Sequence, residues 1–142
     1  MTASRYEGGP SRSPGFLLWH TTLRWQRALT SALEPLGLTH VQFVLLACSY
    51  WLDEAKRAAS QVEVARQAGT DVKMTSQVLR RLEDAGLIVR ALDPDDARAR
   101  IVTVTASGRR LAVSAIAVVE EADEAFFASQ PASLRAALLR VR

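Results

Sequence analysis

The chain has 142 residues, of which 49% are hydrophobic and 23% are charged, and its formal net charge is +3. This length predicts one domain with its own core, and the composition is that of a folded protein. No apolar run approaches the roughly 20 residues of a membrane span, and residues 1–15 lack the apolar core of a secretory signal. A single cysteine, Cys48, excludes an internal disulfide, so we expect a cytoplasmic protein with no membrane partner.

Two helices are predicted after a flexible arm, residues 1–15, that is rich in Gly, Ser and Pro. Residues 16–37 keep apolar side chains at helical spacing, and Pro35 and Gly37 end this first helix. Thr39 is the predicted N-cap of the second helix, with Gln42 placed to complete a capping box.

The stretch from Ser60 to Gly86 predicts a helix-turn-helix. Ser60 and Glu63 form a second capping box at the start of a short helix, and Gly69 permits a tight turn. Thr70 or Asp71 then caps a longer helix that ends at Gly86. Two helices joined by a short turn that contains glycine are typical of this motif.

The longer helix has an apolar face and a polar face. Val78, Leu79 and Leu82 lie on the apolar face, which Met74 or Thr75 extends, and the opposite stripe carries cations, an amide and a hydroxyl. Such groups read base edges and phosphates in a major groove, although a solvated helix face would look the same in isolation. The candidate DNA-binding residues on this helix are Lys73, Thr75, Ser76, Gln77, Arg80 and Arg81.

A β-hairpin is predicted directly after the helix-turn-helix, with strands at residues 87–92 and 100–105, which makes the unit a winged helix. The connecting loop holds Asp93, Asp95 and Asp96. It lacks the ligand spacing of a calcium loop, Pro94 stiffens it, and acid–base chemistry would need carboxylates that face each other across a cleft. We therefore predict no catalytic residue, metal or cofactor.

The chain ends in a long helix, from about Ala106 or Ser107 to Ala128, and a short one that starts at Pro131. The apolar stripes of the first helix and of these last two have no obvious partner in the chain, so a homodimer is predicted. Packing of these helices on each other within a monomer is the alternative. We divide the chain into the arm (1–15), a helical dimerisation region (16–37 and 107–142) and a winged helix-turn-helix lobe (38–106).

Three segments together resemble the MarR (multiple-antibiotic-resistance regulator) family of bacterial repressors. They read "GLTHVQFVLLA", "VARQAGTDVKMTSQVLRRLEDAGLIVR" and "DPDDARARIVTVTASGRRL". The third is similar to the family's wing, whose usual form is Asp-Pro-x-Asp-x-Arg, a strand, then Thr-x-x-Gly. It departs only in reading "VTVT" where Val-x-Leu-Thr is commoner.

The resemblance implies a mainly α fold with a two-stranded β wing and with N- and C-terminal dimerisation helices. It also implies a transcriptional regulator whose dimer binds a pseudo-palindromic operator in double-stranded DNA. The recognition helix would enter the major groove, and Arg98, oriented by Asp96, would reach the minor groove. Arg100, Arg90 and Lys73 would contact phosphates.

By the same resemblance we expect a repressor that a small aromatic or phenolic effector releases from DNA. The family's effector site lies between the dimerisation helices and the DNA-binding lobe, and each candidate aromatic also fits ordinary packing. Cys48 lies in mid-helix on the apolar phase, which favours a buried structural thiol over oxidant sensing. A winged helix that binds proteins and no specific DNA is the other alternative. The candidate effector-pocket residues are Trp19, His20, Trp25, Phe43 and Trp51.

Overall fold

The structure is a computed structural model that describes residues 3–128 and 131–142. Over these residues the chain is mainly helical with one antiparallel pair of strands, as predicted. The elements in order are α1 (Pro14–Leu33), α2 (His40–Glu54), α3 (Gln61–Ala68), α4 (Val72–Asp84), β1 (Ile88–Leu92), β2 (Arg100–Val104), α5 (Ala106–Phe126) and α6 (Pro131–Val141).

Both predicted capping boxes form. The Thr39 hydroxyl accepts from the Gln42 amide at 3.2 Å, and the Gln42 side chain accepts from the Thr39 amide at 3.0 Å. Ser60 and Glu63 make the same pair of bonds at 3.2 and 2.8 Å. These bonds satisfy amides that the first turn of a helix leaves without partners, so the helix starts are encoded locally.

The remaining helix ends refine the predicted boundaries. Asp71, and not Thr70, caps α4, since its carboxylate accepts from the amides of the second and third helical residues at 2.9 and 3.2 Å. α1 begins at Pro14, behind the N-cap Ser13, and residues 10–12 form a turn of 3₁₀ helix. The arm is therefore shorter than predicted, and the first two residues of the predicted arm lie outside the described residues.

One hydrophobic core runs from the long helices into the helix-turn-helix. α1 packs along α5, and α2 packs against α3, α4, α5 and β2. The largest fully buried hydrophobic side chains come from four helices and the first strand: Leu29, Leu33, Leu45, Leu46, Val64, Leu79, Leu82 and Ile88. α4 and the wing are consequently held on a shared scaffold.

The junction of the wing and α5 is a close contact of backbones. Thr105 caps α5 by accepting from the Gly108 amide at 3.0 Å, and its hydroxyl donates to the Gly86 carbonyl at 2.7 Å. The Thr105 amide donates to the Leu87 carbonyl at 3.1 Å. The Thr-x-x-Gly sequence thus fastens the start of α5 to the start of β1.

Among the described residues, no single helix has the length and apolar character to cross a membrane. The segments Pro14–Leu36 and His40–Glu54 meet that criterion only when taken together, and they are bent by 74°.

Candidate nucleic-acid interface

The two faces of α4 are separated as the sequence predicted. Val78, Leu79 and Leu82 are buried against the core. The side chains predicted to read DNA are exposed, or in the case of Ser76 half-buried: Lys73, Ser76, Gln77, Arg80 and Arg81. A helix that buries one face and presents cations and an amide on the other can enter a major groove and donate to base edges and phosphates.

Thr75 is the exception on this helix, and the prediction that it contacts DNA is wrong. Its side chain is 0% exposed. Its hydroxyl donates to the Asp71 carbonyl at 2.7 Å and lies 2.7 Å from the Thr70 hydroxyl. Thr75 therefore fastens the first turn of α4 to the preceding turn, on the buried face of the helix.

Two of the acidic residues of the wing loop, Asp93 and Asp96, bind backbone amides through their carboxylates. An Asp93 carboxylate oxygen accepts from the Asp95 amide at 2.9 Å, and one of Asp96 accepts from the Arg98 amide at 3.0 Å. Such short-range bonds are typical of Asp in turns. These two acids thus shape the hairpin. The sequence predicted that Asp96 orients the Arg98 guanidinium, whereas in the structure Asp96 holds the Arg98 backbone amide.

The two other arginines of the wing differ in exposure. The strands pair in antiparallel register, with Leu92 opposite Arg100 and Arg90 opposite Val102. Arg100 is exposed, in keeping with its predicted phosphate contact. The side chain of Arg90 is only 14% exposed and forms an ion pair of 3.0 Å with Glu83, so the prediction that Arg90 contacts phosphate is wrong.

The five aromatic residues predicted to line an effector pocket do not converge. Trp19 is 61% exposed on α1, and Trp51 is exposed on α2 beside the ring of Tyr50. His20 is exposed and contacts the Phe16 ring, and Phe43 packs against the core. Of the five, Trp25 lines the groove that lies between α1, α2 and the turn before α4.

This open groove, which we call the inter-lobe groove, has a volume of about 490 Å³. Its walls are apolar and aromatic, with an amide and hydroxyls at its edges. The lining residues are Trp25, Gln26, Thr30, His40, Val41, Val44, Ala68 and Thr70. The sequence did not identify His40 or Thr70 as part of it, since no periodic pattern links the three segments.

A partly buried hydrogen bond holds Trp25 in place at the edge of the groove. The Trp25 indole Nε1 donates to an Asp123 carboxylate oxygen on α5 at 2.7 Å, and the His40 ring meets the indole edge-on, with 5.2 Å between centroids. Burial lowers the pKa of His40, and the nearby Asp123 carboxylate partly opposes that change. A neutral imidazole can accept or donate a hydrogen bond toward a ligand in the groove.

Cys48 is half-buried, and burial raises the pKa of its thiol. A raised pKa lowers the fraction of reactive thiolate, which supports a structural role for this residue and weighs against oxidant sensing. Within residues 3–128 and 131–142, no group of three or more His, Cys, Asp or Glu side chains is arranged to hold a metal ion.

Comparison with known proteins agrees with this architecture. The family model for the MarR family matches residues 38–99, which include α2, the helix-turn-helix and the first part of the wing. The HTH-type transcriptional regulator YdcH of Bacillus subtilis is 42% identical over 122 residues, which is 85% of this chain and 82% of YdcH. The chain belongs to the MarR family.

Two solved MarR-type structures share the fold over nearly the whole chain. The Mycobacterium tuberculosis protein Rv2887, in complex with salicylic acid, is 34% identical with a TM-score of 0.65, covering 93% of this chain and 95% of its own. CouR from Rhodococcus jostii, bound to p-coumaroyl-CoA, is 30% identical with a TM-score of 0.77, covering 92% of this chain and 90% of its own. This MarR-family chain is a transcriptional regulator with a winged helix-turn-helix.

Proposed function

We propose that this regulator binds a pseudo-palindromic DNA operator as a homodimer and represses transcription until a small aromatic acid releases it. The observation that carries the proposal is the exposed polar row of α4, which belongs to the same lobe as the exposed Arg98 at the wing tip. The site of action would be the cytoplasm, where bacterial DNA lies.

The residues have distinct tasks in this proposal. Gln77 and Arg80 read base edges in the major groove, because an amide pairs with adenine and a guanidinium with guanine. Lys73 and Arg100 bind phosphates, which adds affinity without sequence information. Arg98 enters the minor groove, where a narrow groove concentrates negative potential.

The DNA proposal is tested by titrating the DNA upstream of the protein's own coding region at several salt concentrations. We expect Arg98→Ala and Gln77→Ala each to weaken specific binding by about 1–3 kcal/mol. Arg98→Ala should also reduce the salt dependence, because it removes a positive charge from the interface. Arg27→Ala, which removes an exposed arginine from α1, is the matched control and should bind normally. If no specific site is found, the chain is better described as a winged helix that binds proteins.

The dimer proposal is based on apolar side chains exposed at both ends of the chain. α1 exposes Phe16, Leu17, Leu18 and Trp19 on consecutive positions, and α6 exposes Leu138, Leu139 and Val141. Leu18 and Leu138 line one apolar groove between these two helices. A second copy of the chain, related by a two-fold axis, can cover a patch of this kind.

Light scattering on the purified protein tests the dimer. Leu18→Glu should shift the mass toward that of a monomer, because a buried carboxylate without a partner is costly. Leu92→Glu is the matched control. Leu92 is 57% exposed, close to the 55% of Leu18, but it lies on the wing and away from the proposed interface. A dimer that Leu18→Glu leaves intact would place the interface elsewhere.

We place the effector in the inter-lobe groove. A flat aromatic acid could stack on Trp25 and His40 and direct its polar group to Thr30 or Thr70. Salicylic acid in the Rv2887 complex is an aromatic acid, and p-coumaroyl-CoA in the CouR complex carries a phenolic ring as the thioester of such an acid. Release from DNA would follow if the ligand favours a dimer whose two α4 helices no longer match the operator spacing.

Salicylate and p-coumarate are the probes for this step. Either should quench the fluorescence of Trp25 and weaken operator binding, and Thr70→Val should reduce the affinity for the probe. Trp51→Phe is the control, because Trp51 is exposed on α2 and is not among the residues lining the groove. Quenching that persists in Trp25→Phe would place the ligand in a different site.

A further inference from the structure

Arg90 lies where three elements of the DNA-binding lobe meet. Its guanidinium donates to one Glu83 carboxylate oxygen through Nε at 3.2 Å and Nη2 at 3.0 Å. Its backbone amide donates to the other Glu83 oxygen at 2.7 Å, and Nη1 donates to the Gln61 side chain at 2.9 Å. One residue of β1 is therefore bonded to the last turn of α4 and to the first residue of α3.

These contacts make Arg90 a joint, by which we mean the point where β1 is bonded to α4 and α3. Paired N–H groups on a carboxylate fix the orientation as well as the distance of the two groups. The hydrogen bonds from Arg90 hold the pKa of Glu83 below its usual range, so the carboxylate stays charged at neutral pH. With its side chain only 14% exposed, Arg90 cannot turn outward to a phosphate without breaking the joint.

The second strand is held to the lobe on its other side. The Val102 amide donates to the Ala59 carbonyl at 2.9 Å, and Ile101 forms a β-bridge with Ser60. β2 is thus attached just before α3, and Arg90 attaches β1 to α4. Because Arg90 and Val102 are paired across the hairpin, both attachments act at the same level of the wing.

The angle of the hairpin at this level decides where its tip lies. A strand advances about 3.3 Å per residue, so the tip of the loop is about 15 Å beyond Arg90. A rotation of about 10° at the joint would displace the tip by about 2.6 Å, which is comparable to the whole length of a hydrogen bond. A contact made by Arg98 would not survive a displacement of that size.

We propose that Arg90, held by Glu83 and Gln61, is a positioning residue that sets the angle between α4 and the wing. It would thereby fix the distance between the major-groove contacts of α4 and the minor-groove contact of Arg98. The inference rests on the proposed DNA-binding function. Arg90 would affect DNA binding only by positioning Arg98 and would not contact DNA itself.

A double-mutant cycle with Arg98→Ala tests the effect on operator binding. If Arg90 acts through the wing tip, Arg98→Ala weakens binding at least about fivefold in the wild-type chain and less than twofold in an Arg90→Gln chain, since coupled residues are not additive. Glu83→Gln breaks the same ion pair, keeps the side-chain shape and should show the same coupling. It therefore replaces Arg90→Gln in the cycle if that variant folds poorly. Additive losses in both backgrounds would overturn the proposal.

Arg100→Gln is the matched control within the same hairpin. Its exposed guanidinium should act independently of Arg98, so its loss should be additive and should lower the salt dependence of binding. If Arg100→Gln couples to Arg98→Ala as strongly as Arg90→Gln does, the coupling does not report the joint, and the proposal fails.

A measurement without DNA separates this inference from the proposed function. Residual dipolar couplings of backbone amides in α4 and in residues 88–104 report the orientation of the wing relative to the helix. In the wild-type chain the two sets should fit one alignment, and in Arg90→Gln the wing should need a rotated one. An unrotated wing in this variant would overturn the proposal, whereas absence of specific DNA binding by the wild-type chain would refute only the function.

Discussion

Replacing Gly108 by alanine should destabilise the protein, although alanine is the better helix former. In a helix interior, alanine is favoured over glycine by about 1 kcal/mol, and because Gly108 lies in the first turn of α5 the gain there is at most this large. A Cβ at Gly108 would, however, lie 1.9 Å from the Leu87 carbonyl oxygen, 2.8 Å from its carbon and 2.9 Å from a methyl of Val104. Since two of these atoms belong to the backbone, no change of rotamer can relieve the overlap.

The size of the effect follows from the movement that the overlap requires. A carbon and a carbonyl oxygen normally approach to about 3.3 Å, so from 1.9 Å the start of α5 and Leu87 must separate by about 1.4 Å. Overpacking of this kind costs about 3 kcal/mol. Separation would also break the bond from the Thr105 amide to the Leu87 carbonyl, about 1 kcal/mol, which offsets the gain in helix propensity. The net loss of about 3 kcal/mol corresponds to a fall of about 10 °C in Tm.

Thermal unfolding followed by circular dichroism measures this change. Gly15→Ala is the matched control, because it makes the same substitution in the first turn of α1, where a Cβ would meet nothing within 4 Å. We expect its Tm to be unchanged or slightly raised. A Gly108→Ala protein with the wild-type Tm would refute the argument from close contact and leave the glycine of the Thr-x-x-Gly sequence without a structural reason.

Three further predictions concern polar groups that are buried or half-buried. Because burial lowers the pKa of His40 and the Asp123 carboxylate raises it, an NMR titration should give a value below 6.5 that falls further in Asp123→Asn. As the pH falls, the unfolded chain therefore protonates His40 before the folded chain does, so the free energy of unfolding should decrease between about pH 7 and pH 5. His40→Gln should make this decrease smaller. An equal decrease in the variant would contradict the role of His40. Cys48, with its raised pKa, should react with iodoacetamide more slowly in the folded protein than in urea, and equal rates would argue for an accessible thiolate. Thr75→Val should lower the free energy of unfolding by about 1–2 kcal/mol and leave the salt dependence of DNA binding unchanged, whereas Ser76→Ala should cost little stability.

Features with a local chemical cause could be predicted from the sequence. The helix starts at Thr39 and Ser60 depend on side chains three residues away, and the turn at Gly69 depends on a left-handed backbone with φ of 72°. Except at Thr75, the buried and exposed faces of α4 follow from helical phase. The resemblance to the MarR family supplied the role of transcriptional regulator, and that role is confirmed.

Features that depend on distant residues could not be predicted in this way. The phase of a strand cannot show that Arg90 turns inward, because Gln61 is 29 positions away. The predicted effector residues are aromatic side chains of the first two helices. Nothing in the sequence pattern indicates the hydrogen bond between Trp25 and Asp123, because the two residues are 98 positions apart. Thr75 lies at the border between the two faces of α4, where phase alone does not decide burial.

The contacts also limit how an effector could act. In the inter-lobe groove a ligand would touch α1 on one side and Thr70 on the other. The Thr70 hydroxyl lies 2.7 Å from that of Thr75 in α4, and Arg90 joins α4 to the wing. A displacement of Thr70 would therefore carry the recognition helix and the wing as one body, because the bonds within the lobe resist their separation. Under the proposed mechanism, the effector should abolish the contributions of Gln77 and Arg98 to operator affinity together, and an effector that removed only one of them would show that the wing moves independently of α4.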